Sequence, residues 1–261
     1  MKIVVCIKQV PDTTEIKIDP VKGTLIREGV PSIMNPDDKG GLEQALRFKD
    51  EFGAHVTVIT MGPPQAEAIL REAYAMGVDE AILLSDRKFG GADTLATSYT
   101  LAAALRNLEF DLLITGRQAI DGDTAQVGPQ IAEHLDLPQV TYVEDAKLLG
   151  DKTLEVKKAT ETGYEILEVD MPCVLTILAS GYEPRYMSIS GIMETFERPI
   201  TLWSSENISV DPEHIGLKGS PTRVMKSFTR GAKAKGTLYD EVTPEEAADI
   251  IVEKLREKFI I

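Results

Sequence analysis

Over about the first 145 residues, short continuous apolar runs alternate with segments whose apolar residues recur every three to four positions. The first pattern is typical of buried strands and the second of helices that pack on one face. The runs lie at residues 3–7, 55–60, 80–85, 111–115 and 140–144, and the helical segments at 38–52, 65–76, 94–107 and 124–135. This alternation predicts a parallel sheet covered by helices on both faces. Ligands of such sheets bind beyond the carboxyl ends of the strands.

The pattern changes after residue 144. Residues 148–152 predict a hairpin turn, and apolar runs at 154–157, 166–169 and 173–178 predict antiparallel strands. From residue 180 to 235 the periodicity is weak, which is unusual inside a compact domain. This stretch is either an arm that lies on a partner chain or an irregular extension packed on its own domain. The division predicted is a core at residues 1–179 and a segment at 180–261 for partner recognition and the arm.

A final helix is predicted to begin at Thr243. Thr243 can cap it, Pro244 suits the first helical position, and Glu246 completes a capping box. Its apolar positions form one stripe of Ala247, Ile250, Ile251, Leu255 and Phe259. A helix with such a stripe is expected to pack against another surface.

Composition excludes several classes of function. The net charge of −14 argues against binding to nucleic acid or to an anionic membrane surface, since both need clustered cations. No apolar run approaches the ~20 residues of a membrane span. The chain enters a strand pattern at Ile3, which leaves no room for a signal peptide, and Cys6 and Cys173 lie in apolar runs. The compartment expected is the cytoplasm.

Common catalytic and metal-binding motifs are absent from the sequence. His55, His134 and His214 are far apart and lack partners at metal-ligand spacing. The sequence contains no G-x-S-x-G, H-E-x-x-H, Walker or G-x-G-x-x-G motif and no obvious nucleophile–base pair. We therefore expect a bound cofactor to supply any chemistry.

Polar residues follow three predicted strands where each leads into a helix. Residues 90–98 combine glycines with three hydroxyl side chains, which suits a phosphate cradle, although Asp93 or Thr94 could simply cap the helix. Residues 116–128 form a polar loop between two apolar elements, which favours binding over packing. For residues 35–41, capping explains the sequence about as well as ligand binding does. Together the three junctions predict one nucleotide site.

Residues 182–193 form an aromatic and charged segment followed by an apolar one, without a regular period. An exposed patch of this kind suggests a contact surface. A local turn packed on itself is the alternative.

Several of these motifs resemble the beta subunit of electron-transfer flavoproteins. The likeness runs from residue 1 to the terminal helix, and its most specific parts are residues 116–123 and the Glu183-Pro184-Arg185-Tyr186 motif. Further matches lie at residues 2–12, 34–36, 75–79 and 192–193. The resemblance implies an α/β fold with a mostly parallel, doubly wound sheet of the adenine nucleotide alpha hydrolase type and a C-terminal arm. It also implies a heterodimer with an alpha subunit that holds FAD and is contacted by this arm.

The family also implies which residues form the sites. The nucleotide site maps onto Cys6, Asn35, Pro36, Asp37, Asp38, Met61, Gly116, Arg117, Gln118, Ala119, Ile120, Asp121, Gly122, Asp123, Thr124, Ala125, Gln126 and Val127. Asp93, Thr94, Ala96 and Thr97 resemble the segment that holds the pyrophosphate of a second FAD. Val10, Pro11 and Asp12, with Asp19 beyond, resemble a stretch associated with NADH. Tyr186 and Ile189 match the region that meets a partner dehydrogenase.

Two types of this family differ in the nucleotide of the beta subunit. In one it is structural AMP, and in the other it is FAD, which takes hydride from NADH and bifurcates the electrons. One electron then goes to ferredoxin or flavodoxin, and the other passes through the alpha-subunit FAD to an acyl-CoA dehydrogenase-type partner. The NADH-like stretch, the second phosphate cradle and the loop at 121–126, which departs from the AMP form, favour the bifurcating type. Outside the family, an ATP-hydrolysing or stress-type nucleotide binder is disfavoured by the lack of a Walker motif.

Overall fold

The computed structural model describes residues 1–12, 31–225, 235–240 and 242–261. The chain divides into two units, Met1–Ser227 and Phe228–Ile261. No helix in these described ranges is both long and apolar enough to cross a membrane.

Eleven strands and six α-helices make up the described fold. The strands are β1 (Lys2–Cys6), β2 (Gln9–Pro11), β3 (Ser32–Met34), β4 (His55–Met61), β5 (Glu80–Leu84), β6 (Leu112–Gly116), β7 (Gln139–Leu149), β8 (Thr153–Thr160), β9 (Gly163–Asp170), β10 (Cys173–Ile177) and β11 (Thr201–Trp203). The helices are α1 (Pro36–Phe52), α2 (Glu67–Met76), α3 (Thr94–Leu105), α4 (Val127–Leu135), α5 (Ile189–Glu194) and α6 (Pro244–Glu257).

Nine strands form one sheet in the order β11-β5-β4-β1-β6-β10-β7-β8-β9. The pairs from β11 to β7 are parallel, and β8 and β9 add an antiparallel hairpin, which confirms the predicted fold class. Alternate residues of β1 face opposite layers: Ile3 and Val5 pack with α1 and α2, whereas Val4 and Cys6 pack with α3 and α4. The strand order reverses between β1 and β6, so the ligand crevice of this fold is expected there.

The prediction that the run at 173–178 forms an antiparallel strand is wrong. This run is β10, which lies between β6 and β7 and is parallel to both, with Cys173 opposite Leu112. All five residues of β10 are buried, as is typical of a central parallel strand covered on both faces. The β8–β9 hairpin that precedes β10 suggested that the next strand would also be antiparallel. Because both faces of β10 are buried, it lies instead in the centre of the parallel sheet.

Residues 180–225, which the sequence groups with the arm, lie in the first unit. β11 adds to the sheet edge beside β5, and the Leu217 amide donates to the Gly90 carbonyl (3.1 Å). Of the two alternatives for this stretch, its described part therefore packs on its own domain. Residues 226–234 lie outside the described residues.

The second unit contains α6, and the predicted capping box is confirmed. The Glu246 amide donates to Thr243 Oγ1 (3.3 Å), and the Thr243 amide donates to Glu246 Oε2 (2.8 Å). No residue of α6 is buried, so its apolar stripe is available to another surface. Contact of this helix with a partner chain stays a prediction.

Candidate functional site

The Asp38 carboxylate joins the two strands that flank the crevice. Its Oδ2 accepts the Lys8 amide (2.8 Å) just after β1, and its Oδ1 accepts the Gly116 amide (3.0 Å) at the end of β6. Glycine is required at 116 because a Cβ there would lie 2.6 Å from the Asp38 nitrogen. The start of α1 is thereby fixed against the carboxyl ends of both strands.

Burial governs the protonation of two groups at this position. It raises the pKa of Asp38 from 3.8 to about 7, against the opposing effect of the hydrogen bonds from Asn35, Lys8 and Gly116. Burial, with a smaller contribution from the Asp38 charge, also raises the pKa of the Cys6 thiol to about 12. The Cys6 thiol is therefore neutral at physiological pH and does not act as a nucleophile.

The raised pKa of Asp38 predicts a pH-dependent stability. Between about pH 4 and pH 7 the folded chain holds a proton that the unfolded chain has lost, so the free energy of unfolding falls as pH rises. From pH 5 to pH 8 the fall due to this group is about 3 kcal/mol. Urea unfolding at both pH values should show a shallower dependence for Asp38→Asn than for the wild type. Asp37→Asn is the matched control, and equal slopes in wild type and Asp38→Asn would contradict the assignment.

Asn35 and Asp37 hold the loop that follows β6. The Asn35 amide group donates to the Gln118 carbonyl (2.8 Å), and its Oδ1 accepts the Ile120 amide (3.0 Å). Asp37 Oδ1 accepts the Ala179 amide (2.9 Å), and Oδ2 pairs with Arg117 Nε (3.3 Å). Asn35 occupies the N-cap position of α1 but makes no side-chain cap bond. Its role is thus to shape the loop rather than to cap its own helix.

The loop itself is tightly constrained although residues 120–124 are exposed. Lys8 Nζ pairs with Asp121 Oδ1 (2.7 Å), and Gln118 Nε2 donates to Asp123 Oδ1 (2.7 Å). Asp123 and Ala125 have φ values of 49° and 52°, in the left-handed region that non-glycine residues rarely adopt. Such strain persists only where the surroundings impose it and is concentrated at ligand sites.

The starts of α3 and α4 meet beside this loop but differ in their caps. Asp93 Oδ1 accepts the Leu95 and Ala96 amides (3.0 and 3.1 Å), so the capping alternative describes Asp93. Gln126 gives α4 no side-chain cap. Thr94 Oγ1 donates to Gln126 Oε1 (2.8 Å) and joins the two helix starts. The first-turn amides of α4 are therefore better suited to an anion than those of α3.

The structure brings the predicted nucleotide residues to one edge of the sheet. Cys6 ends β1, Met61 ends β4, and residues 116–127 connect β6 to α4. Val10 and Pro11 lie on β2, which pairs with β3 just before α1, and the Asp12 amide donates to the Pro31 carbonyl (2.7 Å). The stretch that resembles an NADH-associated segment is thus close to the start of α1. Asp19 lies outside the described residues.

Two residues beside the site were missed from the sequence. Thr222 Oγ1 donates to Asp93 Oδ2 (2.8 Å), which ties the segment after β11 to the start of α3. Tyr142 has a φ of 57°, and the Arg117 guanidinium lies 5.7 Å from the centre of its ring. Neither residue belongs to a strand-to-helix junction, so no local sequence signal identifies it.

Tyr186 and Ile189 lie in a separate surface region, before and at the start of α5. Both side chains are largely exposed, with relative exposures of 92% and 81%. Ile189 is therefore available to a partner and is not packed into its own subunit.

Comparisons with known proteins agree with this arrangement. The electron transfer flavoprotein domain family matches residues 22–207. The chain is 59% identical to the electron transfer flavoprotein subunit beta of Clostridium acetobutylicum, over 100% of both chains. It is also 57% identical to the caffeyl-CoA reductase-Etf complex subunit CarD of Acetobacterium woodii and 48% identical to the acryloyl-CoA reductase electron transfer subunit gamma of Anaerotignum propionicum, over 100% of each chain. A doubly wound sheet with its loops gathered at the switch point, together with full-length identity of this order, shows that the chain belongs to the electron transfer flavoprotein family as a beta subunit.

Proposed function

We propose that this beta subunit binds FAD at the switch-point crevice and forms a heterodimer with an FAD-bearing alpha subunit. FAD in this crevice would accept hydride from NADH and pass one electron to ferredoxin or flavodoxin and the other, through the alpha-subunit FAD, to an acyl-CoA dehydrogenase-type partner. The buried free thiols of Cys6 and Cys173 are in keeping with a cytoplasmic protein. The C-terminal arm with α6 is the part of the chain that we expect to contact the alpha subunit.

The observation that carries this proposal is the junction between the starts of α3 and α4. The uncapped amides of Val127 and Gly128 can receive one phosphate, and the hydroxyl of Thr97 offers a donor for a second. The Thr94–Gln126 hydrogen bond holds these two groups side by side. A pyrophosphate needs two adjacent cradles, whereas the single phosphate of AMP needs only one.

The charges around the crevice favour binding of the phosphates by helix N-termini rather than by cationic side chains. Lys8 is paired with Asp121, and Arg117 with Asp37, so each positive charge already has a carboxylate partner. Helix N-termini carry a partial positive charge and unpaired amides that stabilise phosphates without a free lysine. Cys6 and Met61 end β1 and β4, where we expect them to present an apolar surface to a planar ring.

The relatives support the partner class. Two of them are named as subunits of caffeyl-CoA reductase and acryloyl-CoA reductase assemblies. We infer that this chain likewise delivers electrons to a flavoenzyme acting on acyl-CoA thioesters, with Tyr186 and Ile189 at the contact. The alternative within the family is a subunit with structural AMP that only carries electrons.

Identification of the released nucleotides tests the proposal. The purified heterodimer is denatured, and its nucleotides are separated and quantified against the protein. We expect two FAD per alpha–beta pair. One FAD and one AMP per pair would overturn the proposal in favour of the AMP alternative.

A further inference from the structure

An apolar surface without cover lies on residues 186–196, which we call the docking loop. This segment contains α5 and is followed by the turn that leads to β11. Its most exposed apolar side chains, with their relative exposures, are Tyr186 (92%), Ile189 (81%), Met193 (74%) and Phe196 (80%). Large apolar side chains grouped on one loop are typical of a contact surface. The structure shows in addition how firmly this loop is held.

An ion pair between the buried Glu43 and the partly exposed Arg185 anchors the loop at its N-terminal end. Glu43 lies on α1 and is only 6% exposed. Its carboxylate accepts the Arg185 amide (3.0 Å), Arg185 Nε (2.9 Å) and Arg185 Nη2 (2.9 Å). Arg185 Nη2 also reaches Asp50 Oδ2 (2.8 Å), and the bonds to Glu43 raise the pKa of the guanidinium further above its usual range. The residue immediately before Tyr186 is therefore fixed through both its backbone and its side chain.

Residues at the C-terminal end of α2 and just after it hold the docking loop by backbone contacts. The Ser188 amide donates to the Ala75 carbonyl (3.1 Å), and a Cβ at Gly191 would lie 2.6 Å from the same oxygen. Arg71 donates to the Arg198 carbonyl (2.8 Å), and Arg198 donates to the Val78 carbonyl (2.9 Å). The docking loop is thus held at both ends and at its centre, while its apolar side chains stay exposed.

We propose that Arg185 is a positioning residue for partner docking. Two nitrogens of its guanidinium, Nε and Nη2, form a fork that binds the Glu43 carboxylate and holds the docking loop against α1. Tyr186 and Ile189 are therefore already in position before a partner binds. Binding then avoids most of the cost of ordering the loop, which is otherwise paid from the binding free energy. A planar guanidinium satisfies both carboxylate oxygens at once, whereas a lysine ammonium acts as a point charge and cannot replace the fork.

This inference rests on the docking role in the proposed function, and the experiment separates the two. Heterodimers are titrated against the caffeyl-CoA reductase component of the Acetobacterium woodii complex, whose subunit CarD is 57% identical to this chain. We expect Arg185→Lys to raise the dissociation constant about tenfold while flavin content stays at the wild-type value. Chymotrypsin should also cleave the variant faster after Tyr186, because the loop opens more often. Arg106→Lys is the control, since the Arg106 guanidinium bonds the His134 carbonyl (2.6 Å) far from the docking loop.

Each outcome bears on one of the two ideas. If Ile189→Ala weakens binding but Arg185→Lys does not, the positioning role is overturned and the docking role stands. If neither variant weakens binding, the docking role itself fails and the positioning role with it. Should Arg185→Lys not fold, Glu43→Gln keeps the shape of the carboxylate side chain but removes its charge and one of the two acceptor oxygens that bind Arg185, and it is expected to raise the dissociation constant severalfold. An unchanged dissociation constant for Glu43→Gln would then overturn the proposal.

Discussion

A heterodimer that carries Thr97→Asp should release one FAD per alpha–beta pair on denaturation, where the proposed function predicts two for the wild type. Thr97 is partly exposed and lies one turn after Thr94 on α3, beside the junction with α4. A carboxylate at this position places a negative charge where the second phosphate of FAD is proposed to bind. The same carboxylate is favourable for the helix itself, because acidic groups near a helix N-terminus interact well with its dipole. The fold and the assembly are therefore expected to survive the substitution.

Thr97→Asn is the matched control, since it changes the shape of the side chain in the same way but adds no charge. We expect it to retain both flavins or to lose the second only in part. Flavin is quantified by absorbance after protein precipitation, and assembly is followed on a sizing column. An unchanged flavin count in Thr97→Asp would show that this part of α3 is only a capped helix start.

Ile189→Ala should slow electron delivery to an acyl-CoA dehydrogenase-type partner about tenfold at subsaturating partner concentration. Truncation of an interface anchor costs more than about 1 kcal/mol and often 2 or more, and about 1.4 kcal/mol corresponds to a factor of ten. Ile189 is 81% exposed, so the free energy of unfolding should hardly change. The reduction of the bound flavins by NADH that the proposed function predicts should also stay constant, because that step needs no partner.

Ile166→Ala is the control for this prediction. Ile166 is another exposed isoleucine, on β9 rather than on the docking loop. Both variants are compared by stopped-flow reduction of the partner and by thermal melting. A lowered melting temperature with unchanged partner affinity would show that Ile189 stabilises its own subunit and does not bind the partner.

Local signals in the sequence were sufficient for most elements of the fold. The helix at residues 38–52 was predicted within two residues of α1, and Thr243, Pro244 and Glu246 form the predicted capping box. The periodicity of apolar residues and the residues that cap a helix depend on neighbours within one or two turns. They can therefore be predicted without knowing the fold. The edge of the sheet that carries the candidate site also followed from the sequence, because the polar loops come after the predicted strands.

Other features depend on contacts between residues far apart in the sequence. β10 has the composition of a buried strand, but only the packing of the whole sheet decides that it lies between β6 and β7 and is parallel to both. The α5 helix has only six residues, and its exposed face gives it no amphipathic period to detect.

The same division holds for the candidate site residues. The sequence by itself determined the residue types of the strand-to-helix loops and, through the family resemblance, the beta-subunit assignment. Only the tertiary structure decided that Asn35 bonds the loop after β6 instead of capping α1, that Thr222 closes over Asp93, and that Arg185 pairs with Glu43. Glu43 and Arg185 are 142 positions apart, and nothing local distinguishes a charge that will be buried in a pair from one that stays in water. The physical reason is that helix and strand periodicity and helix capping depend on residues close together in the sequence. The partner of a buried polar side chain depends instead on the whole folded chain, because every buried polar group needs a hydrogen-bond partner wherever in the sequence that partner lies.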